Sequence, residues 1–114
     1  MYIVNTRFEW DQNKGRINAQ KHGISFKEAT TAFHDPEAMT ADDPIHSNEE
    51  PGHWLVGESD RKRLLVVIFT ERPVRAPGEQ DPLLSPGISI RIISARLALR
   101  PERRRYEENR GISF

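Results

Sequence analysis

Residues 64–69 read Leu-Leu-Val-Val-Ile-Phe, the longest uninterrupted apolar run in the chain. Apolar side chains at every position, and so on both faces, are typical of a strand in the middle of a sheet. The run is far shorter than the roughly 20 apolar residues needed to span a bilayer, so we predict no membrane association. We expect residues 64–69 to form the central strand around which the rest of the chain folds.

Shorter strands are predicted on both sides of this run. Residues 54–57 precede it as a short, half-buried strand, and Arg61-Lys62 provides the polar connection. Residues 88–95 follow it with strict alternation, which places Arg91 on the face opposite Ile90 and Ile92. Between them, residues 73–87 contain four of the eight prolines and are predicted to be an irregular inserted loop rather than a domain boundary.

Two helices are predicted before these strands. Asp11 can cap a first helix, which runs to about residue 22 and stops at Gly23. Ser25 and Glu28 form an S-x-x-E capping box for a second helix, and Asp35-Pro36 ends it. Both helices precede the sheet directly in the chain.

A third helix is predicted after the sheet, bracketed by Pro101 and Gly111 and almost without an apolar stripe. The spacers between the predicted strands are too short for parallel crossovers. We therefore predict a single α+β domain over residues 1–114. It should have two N-terminal helices, an antiparallel sheet of three to four strands and a C-terminal helix.

The net charge of zero hides a segregation of charge along the chain. Residues 35–60 hold eight acidic residues and no lysine or arginine, whereas residues 88–114 hold seven arginines and three glutamates. Surface potential follows local charge rather than the total. The basic end is expected to face a polyanion and the acidic end a basic partner, unless the two sets pair across the fold.

Several classes of protein are disfavoured by absent motifs. The chain has no cysteine, which excludes disulfides, thiolate metal sites and cysteine nucleophiles. It has neither a phosphate-binding glycine loop nor an H-E-x-x-H zinc motif. Asp42-Asp43 could bind a divalent cation, but an acidic pair beside a proline is usually a solvated turn. Without these motifs we expect no metal or cofactor. No secretory signal is visible at the N-terminus, so we expect a cytoplasmic protein.

Four motifs occur in a characteristic order. They are Phe8-Glu9-Trp10-Asp11, Lys21-His22-Gly23-Ile24-Ser25-Phe26, Asp42-Asp43-Pro44 with His46, and Arg91-Ile92-Ile93-Ser94-Ala95-Arg96 followed by Glu102-Arg103 and Tyr106-Glu107. In this order they resemble the BrnT toxin family over nearly the whole chain. The resemblance implies a RelE-like fold, ribosome-independent RNA cleavage, and an antitoxin of the BrnA type. Such an antitoxin carries a ribbon-helix-helix segment, through which the pair would contact operator DNA.

The sequence departs from the family pattern in two places. The loop at residues 73–87 is longer than the tight turn expected there, and Gly52 stands where similar proteins place an arginine. If that arginine contacts phosphate in relatives, either His53 or Arg63 would have to replace it here or the rate would fall. The departure motivates a second hypothesis, a catalytically silent module that binds the antitoxin and acts as a transcriptional co-repressor.

Metal-free RNA cleavage needs a base, cations that stabilise the phosphoryl oxygens, and an acid for the leaving oxygen. His22 and His46 are the candidate acid and base, because an imidazole titrates near neutral pH. Each has a structural alternative, a helix end for His22 and a loop hydrogen bond for His46. Which of them would act as base and which as acid stays open.

Arg91 is the candidate phosphate ligand, because an arginine on an apolar strand needs either an anion partner or an exposed functional face. The alternative is a salt bridge to Asp42 or Asp43. Arg96 is a further catalytic candidate, but on a straight strand it would lie on the face opposite Arg91, so the chain would have to turn before Arg96 for both to line one site.

The last helix offers a second cationic surface. Arg103, Tyr106 and Arg110 share one helix face, which combines an aromatic ring with two cations and would suit single-stranded RNA. Tyr106 is also a catalytic candidate, although its ring could instead anchor the helix on the core. Lys21 and Arg63 complete the predicted RNA-binding residues.

Overall fold

The computed structural model describes residues 6–43, 52–74 and 87–109. In chain order its elements are β1 (Thr6–Glu9), α1 (Gln12–His22), α2 (Phe26–Thr31), a 3-10 turn (Ala32–His34), β2 (Met39–Asp43), β3 (Gly52–Glu58), β4 (Leu64–Val74), β5 (Gly87–Leu97) and α3 (Arg100–Asn109). The predicted α+β class is confirmed. Among these elements there is no helix with both the length and the apolar character to cross a membrane.

The strands form one sheet in the order β1-β5-β4-β3-β2. From β2 to β5 the neighbours pair antiparallel, as predicted. The structure adds a fifth strand, β1, which the prediction omitted and which pairs parallel with β5. A parallel pair needs a long connection, and here the whole chain between β1 and β5 serves as that connection.

One face of the sheet, the helix face, packs against α1, α2 and the 3-10 turn. Its buried side chains are Leu55, Leu65, Val67, Phe69, Ile90, Ile92 and Ala95. Phe33 covers them from the helical side, with 4.9 Å between its ring centroid and that of Phe69. Each large side chain buried in this way contributes roughly 1.5–3 kcal/mol, so this layer fixes which face of the sheet stays outside.

Helix α1 begins and ends where the sequence predicts. Asp11 Oδ1 accepts a hydrogen bond from the Lys14 N–H at 2.9 Å, and that bond is the main reason that the pKa of Asp11 is lowered. At the other end Gly23 adopts a left-handed φ of 72° and donates its N–H to the Ala19 carbonyl. Only glycine reaches this conformation without strain, so Gly23 sets the end of α1.

Helix α2 uses half of its predicted capping box. Ser25 Oγ accepts from the Glu28 N–H at 3.0 Å, as expected. The Glu28 carboxylate does not reach back to the cap but turns to Ser59 and Arg63 on the β3–β4 hairpin. Glu28 therefore joins the helix layer to the sheet instead of only starting a helix.

Asn18 fastens α1 to β5. Its Nδ2 donates to the carbonyl oxygens of Ile24 and Ala95 at 2.9 and 2.8 Å, and its Oδ1 accepts from the Ala95 N–H at 3.1 Å. Strand β1 pairs with β5 only as far as Arg91, so the backbone at Ala95 needs another partner. The Asn18 amide takes the place of the missing strand.

A β-bulge interrupts the alternation of β5. Ile68 pairs with Ser94 and Phe69 with Ile92, so Ile93 is an extra residue without a partner in register. After the bulge Ala95, not Ser94, points into the core. The strand is therefore not straight, and the condition stated for Arg96 is met: the extra residue before it returns Arg96 to the face of Arg91.

The strands flanking the proline-rich segment are longer than predicted. β4 continues through Pro73 to Val74 and β5 starts at Gly87, so the predicted loop at 73–87 begins and ends inside strands. Pro73 is tolerated because, among the described residues, β4 pairs with β3 only up to Thr70. Beyond Thr70 no described strand pairs with that edge of β4, so the missing N–H of Pro73 removes no ladder hydrogen bond there. Residues 75–86 lie outside the described part of the chain.

Candidate active site

The face opposite the helix face, here called the second face, has two contrasting ends. At the covered end Val56, Leu64 and Val66 form a small buried cluster with Tyr106 of α3. The described side chains at the other end, here called the exposed end, are mostly polar, and Arg72 and Arg91 among them are exposed. The exposed end is the candidate site.

A row of register partners crosses the exposed end. Going across the sheet, Gly52 pairs with Thr70, Thr70 with Arg91, and Arg91 with Glu9 of β1. Paired residues on adjacent strands point to the same side, about 4.8 Å apart. The row therefore presents a hydroxyl, a guanidinium and a carboxylate side by side.

Arg91 is the centre of this row. It is exposed, and it makes no hydrogen bond or ion pair with any residue in the described ranges. Its charge contributes to the lowered pKa of Asp11, behind the larger effect of the Lys14 N–H, which places Arg91 near the start of α1. The side chains of Asp42 and Asp43, predicted as alternative partners, lie outside the described side chains. Arg91 has a free guanidinium as far as the structure describes its surroundings.

The next row outward adds two more cations. Ser89 pairs with Arg72 on one side and with Arg7 on the other, and both arginines are exposed. Glu9 Oε1 accepts from Ser89 Oγ at 3.2 Å and lies 3.7 Å from Arg72 Nη2. Among the described side chains, these two rows hold three arginines and the carboxylate of Glu9, with Asp11 near Arg91, and guanidinium groups suit a phosphate group.

The row toward the covered end is mostly apolar. Trp54 pairs with Ile68, and Ile68 with Ser94, and all three side chains are half-buried. The indole and the aliphatic side chain pack against the buried cluster below them. An indole beside cations is a surface on which a nucleobase can stack.

Arg96 lies on the same face as Arg91 but at the covered end, two rows away or about 13 Å along β4. Its Nη1 and Nη2 donate to Glu102 Oε1 and Oε2 at 2.8 and 2.6 Å. This bidentate pair raises the pKa of Arg96 and lowers that of Glu102. Glu102 Oε1 also accepts from the Leu99 N–H at 2.8 Å, so the pair holds the start of α3.

Tyr106 anchors α3. It is only 4% exposed, and its hydroxyl donates to Asp35 Oδ2 at 2.6 Å. Asp35 also accepts from the backbone N–H groups of Glu37 and Glu58, both at 2.8 Å. The ring is therefore not on an exposed stacking face with Arg103, and the core-anchor alternative describes its position.

Arg63 occupies a structural network rather than the candidate site. Its Nε donates to Glu28 Oε2 at 2.9 Å, its Nη2 to Glu28 Oε1, and Nη2 also reaches the Gly23 carbonyl at 3.3 Å. The Glu28 side chain is 4% exposed, and the hydrogen bond from Arg63 is the main reason that its pKa is lowered. Burying this carboxylate requires the guanidinium.

The two catalytic histidine candidates do not meet Arg91 in the described residues. His22 is half-buried in the last turn of α1, on the helix face. It lies about 16 Å along the helix from Asp11, at 1.5 Å per residue, and so at the opposite end of α1 from Arg91. Lys21 is exposed beside it. His46 and Arg110 lie outside the described residues, and no group of three or more His, Asp or Glu with metal-binding geometry occurs within the described ranges.

Gly52 is buried and belongs to the Arg91 row, so an arginine at this position would fall inside the candidate site. Neither proposed replacement reaches that face. His53 is on the helix face, with its ring 5.5 Å from the Phe69 ring, and Arg63 is held by Glu28. Of the two alternatives stated for the missing arginine, replacement by His53 or Arg63 does not fit these positions, and Arg72 is the cation that the adjoining row offers.

Sequence reasoning missed Glu9, Thr70, Arg72 and Trp54. Thr70, Arg72 and Trp54 become neighbours of Arg91 only through strand register. Glu9 was visible in the motif before α1, and the polar-apolar alternation of Arg7, Phe8 and Glu9 was the signal for a strand.

Comparison with known proteins identifies relatives of this chain. A family model described as "Ribonuclease toxin, BrnT, of type II toxin-antitoxin system" matches residues 10–102. The 1.1 Å crystal structure of the Brucella abortus ribonuclease toxin BrnT is similar in fold, with a TM-score of 0.50 and 20% sequence identity over 85% of this chain and 100% of that one. A search of curated proteins found no match. With more than half of its length matched, the chain belongs to the BrnT family of ribonuclease toxins of type II toxin-antitoxin systems.

Proposed function

We propose that this protein is a metal-independent RNA endonuclease that cleaves RNA, without the ribosome, on the exposed end of the second face. The observation that carries the proposal is the position of Arg91. Its exposed guanidinium has no partner within the described ranges and stands between Thr70 and Glu9. An exposed guanidinium without a carboxylate partner among the described residues can bind an anionic ligand.

In this proposal the scissile phosphate binds Arg91, and Arg7 and Arg72 hold neighbouring phosphates. Trp54 stacks a base beside the cleavage point, so the RNA is bound by alternating cationic and aromatic contacts. His22 and His46 remain candidates for the acid and base. His22 is the weaker of the two, because it lies at the far end of α1.

Arg96 and Tyr106 take an indirect part. The pair with Glu102 and the hydrogen bond to Asp35 hold α3 on the covered end. Longer RNA would make outer contacts with further cations. These are Arg103 on α3, Arg110, Lys21 and the solvent-exposed part of Arg63. Binding to these outer contacts should weaken as salt rises, because each neutralised phosphate releases counterions.

The partner that silences the toxin is proposed to be a BrnA-like antitoxin with a ribbon-helix-helix segment, and the pair to act in the cytoplasm. The antitoxin would cover Arg91, Arg96 or the Arg103 to Arg110 surface with acidic or aromatic side chains. Electrostatic steering would make their association fast and salt-sensitive. Operator DNA would be contacted only through the antitoxin.

A second function is favoured by one observation, the glycine in the Arg91 row. If the arginine that relatives carry at the position of Gly52 is needed for the rate, the chain would be a silent co-repressor. Expression without the antitoxin separates the two functions: a nuclease arrests growth and degrades RNA, whereas a silent module does neither.

The experiment that tests the site is the substitution Arg91→Ala in purified protein. We expect RNA cleavage to fall at least 10-fold, which corresponds to about 1.4 kcal/mol of transition-state stabilisation. The urea unfolding midpoint should stay unchanged, because Arg91 is exposed. Arg61→Ala is the matched control: it removes the same charge from an exposed hairpin residue at the other end of the sheet.

Full activity of folded Arg91→Ala protein would remove Arg91 from the site. A loss of folding instead would mean that Arg91 serves the sheet rather than the substrate.

A further inference from the structure

Glu9 is a carboxylate held at the candidate site by contacts to one of its two oxygens. Oε1 accepts from Ser89 Oγ at 3.2 Å and lies 3.7 Å from Arg72 Nη2. Oε2 makes no hydrogen bond with any residue in the described ranges. The Glu9 side chain is 40% exposed, so a ligand on the second face can reach it.

An ordinary surface ion pair does not account for this arrangement. A pair at 3.7 Å to a side chain that is 70% exposed contributes less than about 1 kcal/mol. Ser89, by contrast, is 5% exposed, and its hydroxyl donates to the carboxylate from a neighbouring position on the same face. A buried hydroxyl that orients an exposed carboxylate is the arrangement expected of a group with a defined chemical task.

We propose that Glu9 is the general base of the nuclease, an inference that rests on the proposed RNA cleavage. Glu9 Oε2 accepts the proton of the 2′-hydroxyl, and the 2′-oxygen forms a bond to the adjacent phosphorus. The bond from phosphorus to the 5′-oxygen breaks, that oxygen takes a proton from a solvent water, and Glu9 gives its proton to the hydroxide that remains. The products are a 2′,3′-cyclic phosphate and a 5′-hydroxyl, and the net reaction moves one proton from the 2′-oxygen to the 5′-oxygen.

The register of β1 and β5 provides the required proximity. Glu9 and Arg91 are direct partners on adjacent strands, about 4.8 Å apart at the backbone. In RNA the 2′-oxygen and the phosphate that it attacks are neighbours in one nucleotide linkage. A phosphate bound by Arg91 therefore brings its own nucleophile to Glu9, and no side chain from the far end of α1 is needed.

The test measures cleavage and binding separately in Glu9→Gln, which keeps the shape and the hydrogen bond to Ser89 but accepts a proton poorly. The substrate is a short single-stranded RNA containing a site that the unaltered protein cuts, and binding uses the same RNA with a 2′-deoxy residue at that site. We expect the single-turnover rate to fall about 100-fold or more, with binding unchanged or tighter because a negative charge is lost.

A substrate with sulfur in place of the leaving 5′-oxygen distinguishes a general-base role of Glu9 from a general-acid role, because the sulfur leaves without being protonated. The Glu9→Gln defect should persist on that substrate. Glu71→Gln is the control, since Glu71 is an exposed carboxylate near the same end of the sheet but on the helix face.

Three results would overturn the proposal: a Glu9→Gln rate within about threefold of the unaltered protein, a rate restored by the sulfur substrate, or a loss of binding that accounts for the whole loss of rate. If the unaltered protein cleaves no RNA, the proposed nuclease function fails and this inference fails with it. If the unaltered protein cleaves RNA and Glu9→Gln gives one of these three results, only the role of Glu9 fails and the proposed nuclease function stands.

Discussion

Arg91 and Arg96 lie on the same strand and on the same face of the sheet, yet their surroundings differ completely. Arg96 is joined to Glu102 by two short hydrogen bonds and helps to hold α3, whereas Arg91 is exposed and has no partner in the described ranges. Arg63 resembles Arg96, because Glu28 binds it in the same bidentate way. The bidentate carboxylate pairs of Arg96 and Arg63 support the fold, whereas the exposed guanidinium of Arg91 is available to a ligand.

The largest expected effect on stability comes from breaking the more buried of the two pairs. Glu28→Gln should lower the free energy of unfolding by about 2 kcal/mol, because charged hydrogen bonds to Arg63 and one to Ser59 are weakened. Urea denaturation followed by circular dichroism measures the change. Arg61→Ala is the control, since Arg61 is 71% exposed and 3.9 Å from the same carboxylate. A stability change as large in the control would show that the charge, not the bidentate pair, matters.

A smaller effect is expected at the covered end. Tyr106→Phe removes the hydroxyl that donates to Asp35 and should lower the free energy of unfolding by about 1 kcal/mol while leaving RNA cleavage intact. Thermal unfolding and a cleavage assay on the same preparation test both parts. A folded variant that has lost cleavage would return Tyr106 to the catalytic residues.

The smallest effect is expected from the partly exposed pair. Glu102→Gln should cost less than about 1 kcal/mol at neutral pH, because Arg96 and Glu102 are 36% and 23% exposed and water screens them. Arg96 lowers the pKa of Glu102 below its usual value of 4.5. The pair's contribution is therefore complete above about pH 4.5 and is lost as the pH falls through the folded-state pKa. In acid titrations of stability the variant should show a shallower decline than the unaltered protein, and an identical decline would contradict the assigned role of the pair.

Local signals in the sequence predicted the helices well. The capping residues Asp11 and Ser25 and the left-handed Gly23 act within one turn of the chain, so their effect can be read from neighbouring residues. The strand at residues 64–69 was found for the same reason, because its apolar character is continuous.

The candidate site was harder to predict because it depends on register. The bulge at Ile93, which brings Arg96 to the face of Arg91, has no glycine or other local mark in the sequence. The partner of Glu28 is 35 residues away, and Glu9 pairs with a strand at the opposite end of the chain. Arg91 was found because a charged residue in an apolar strand is conspicuous, whereas its neighbours are identified only by the sheet.

The parallel pairing of β1 with β5 has a consequence for synthesis of the protein. Glu9 leaves the ribosome early, but its partner Arg91 is made only when most of the chain has been translated. Contacts between such distant residues form late in folding, because a long loop must close first. A chain that stops before β5 thus lacks the pairing of Glu9 with Arg91, and on the proposed site such a translation product is expected to cleave no RNA.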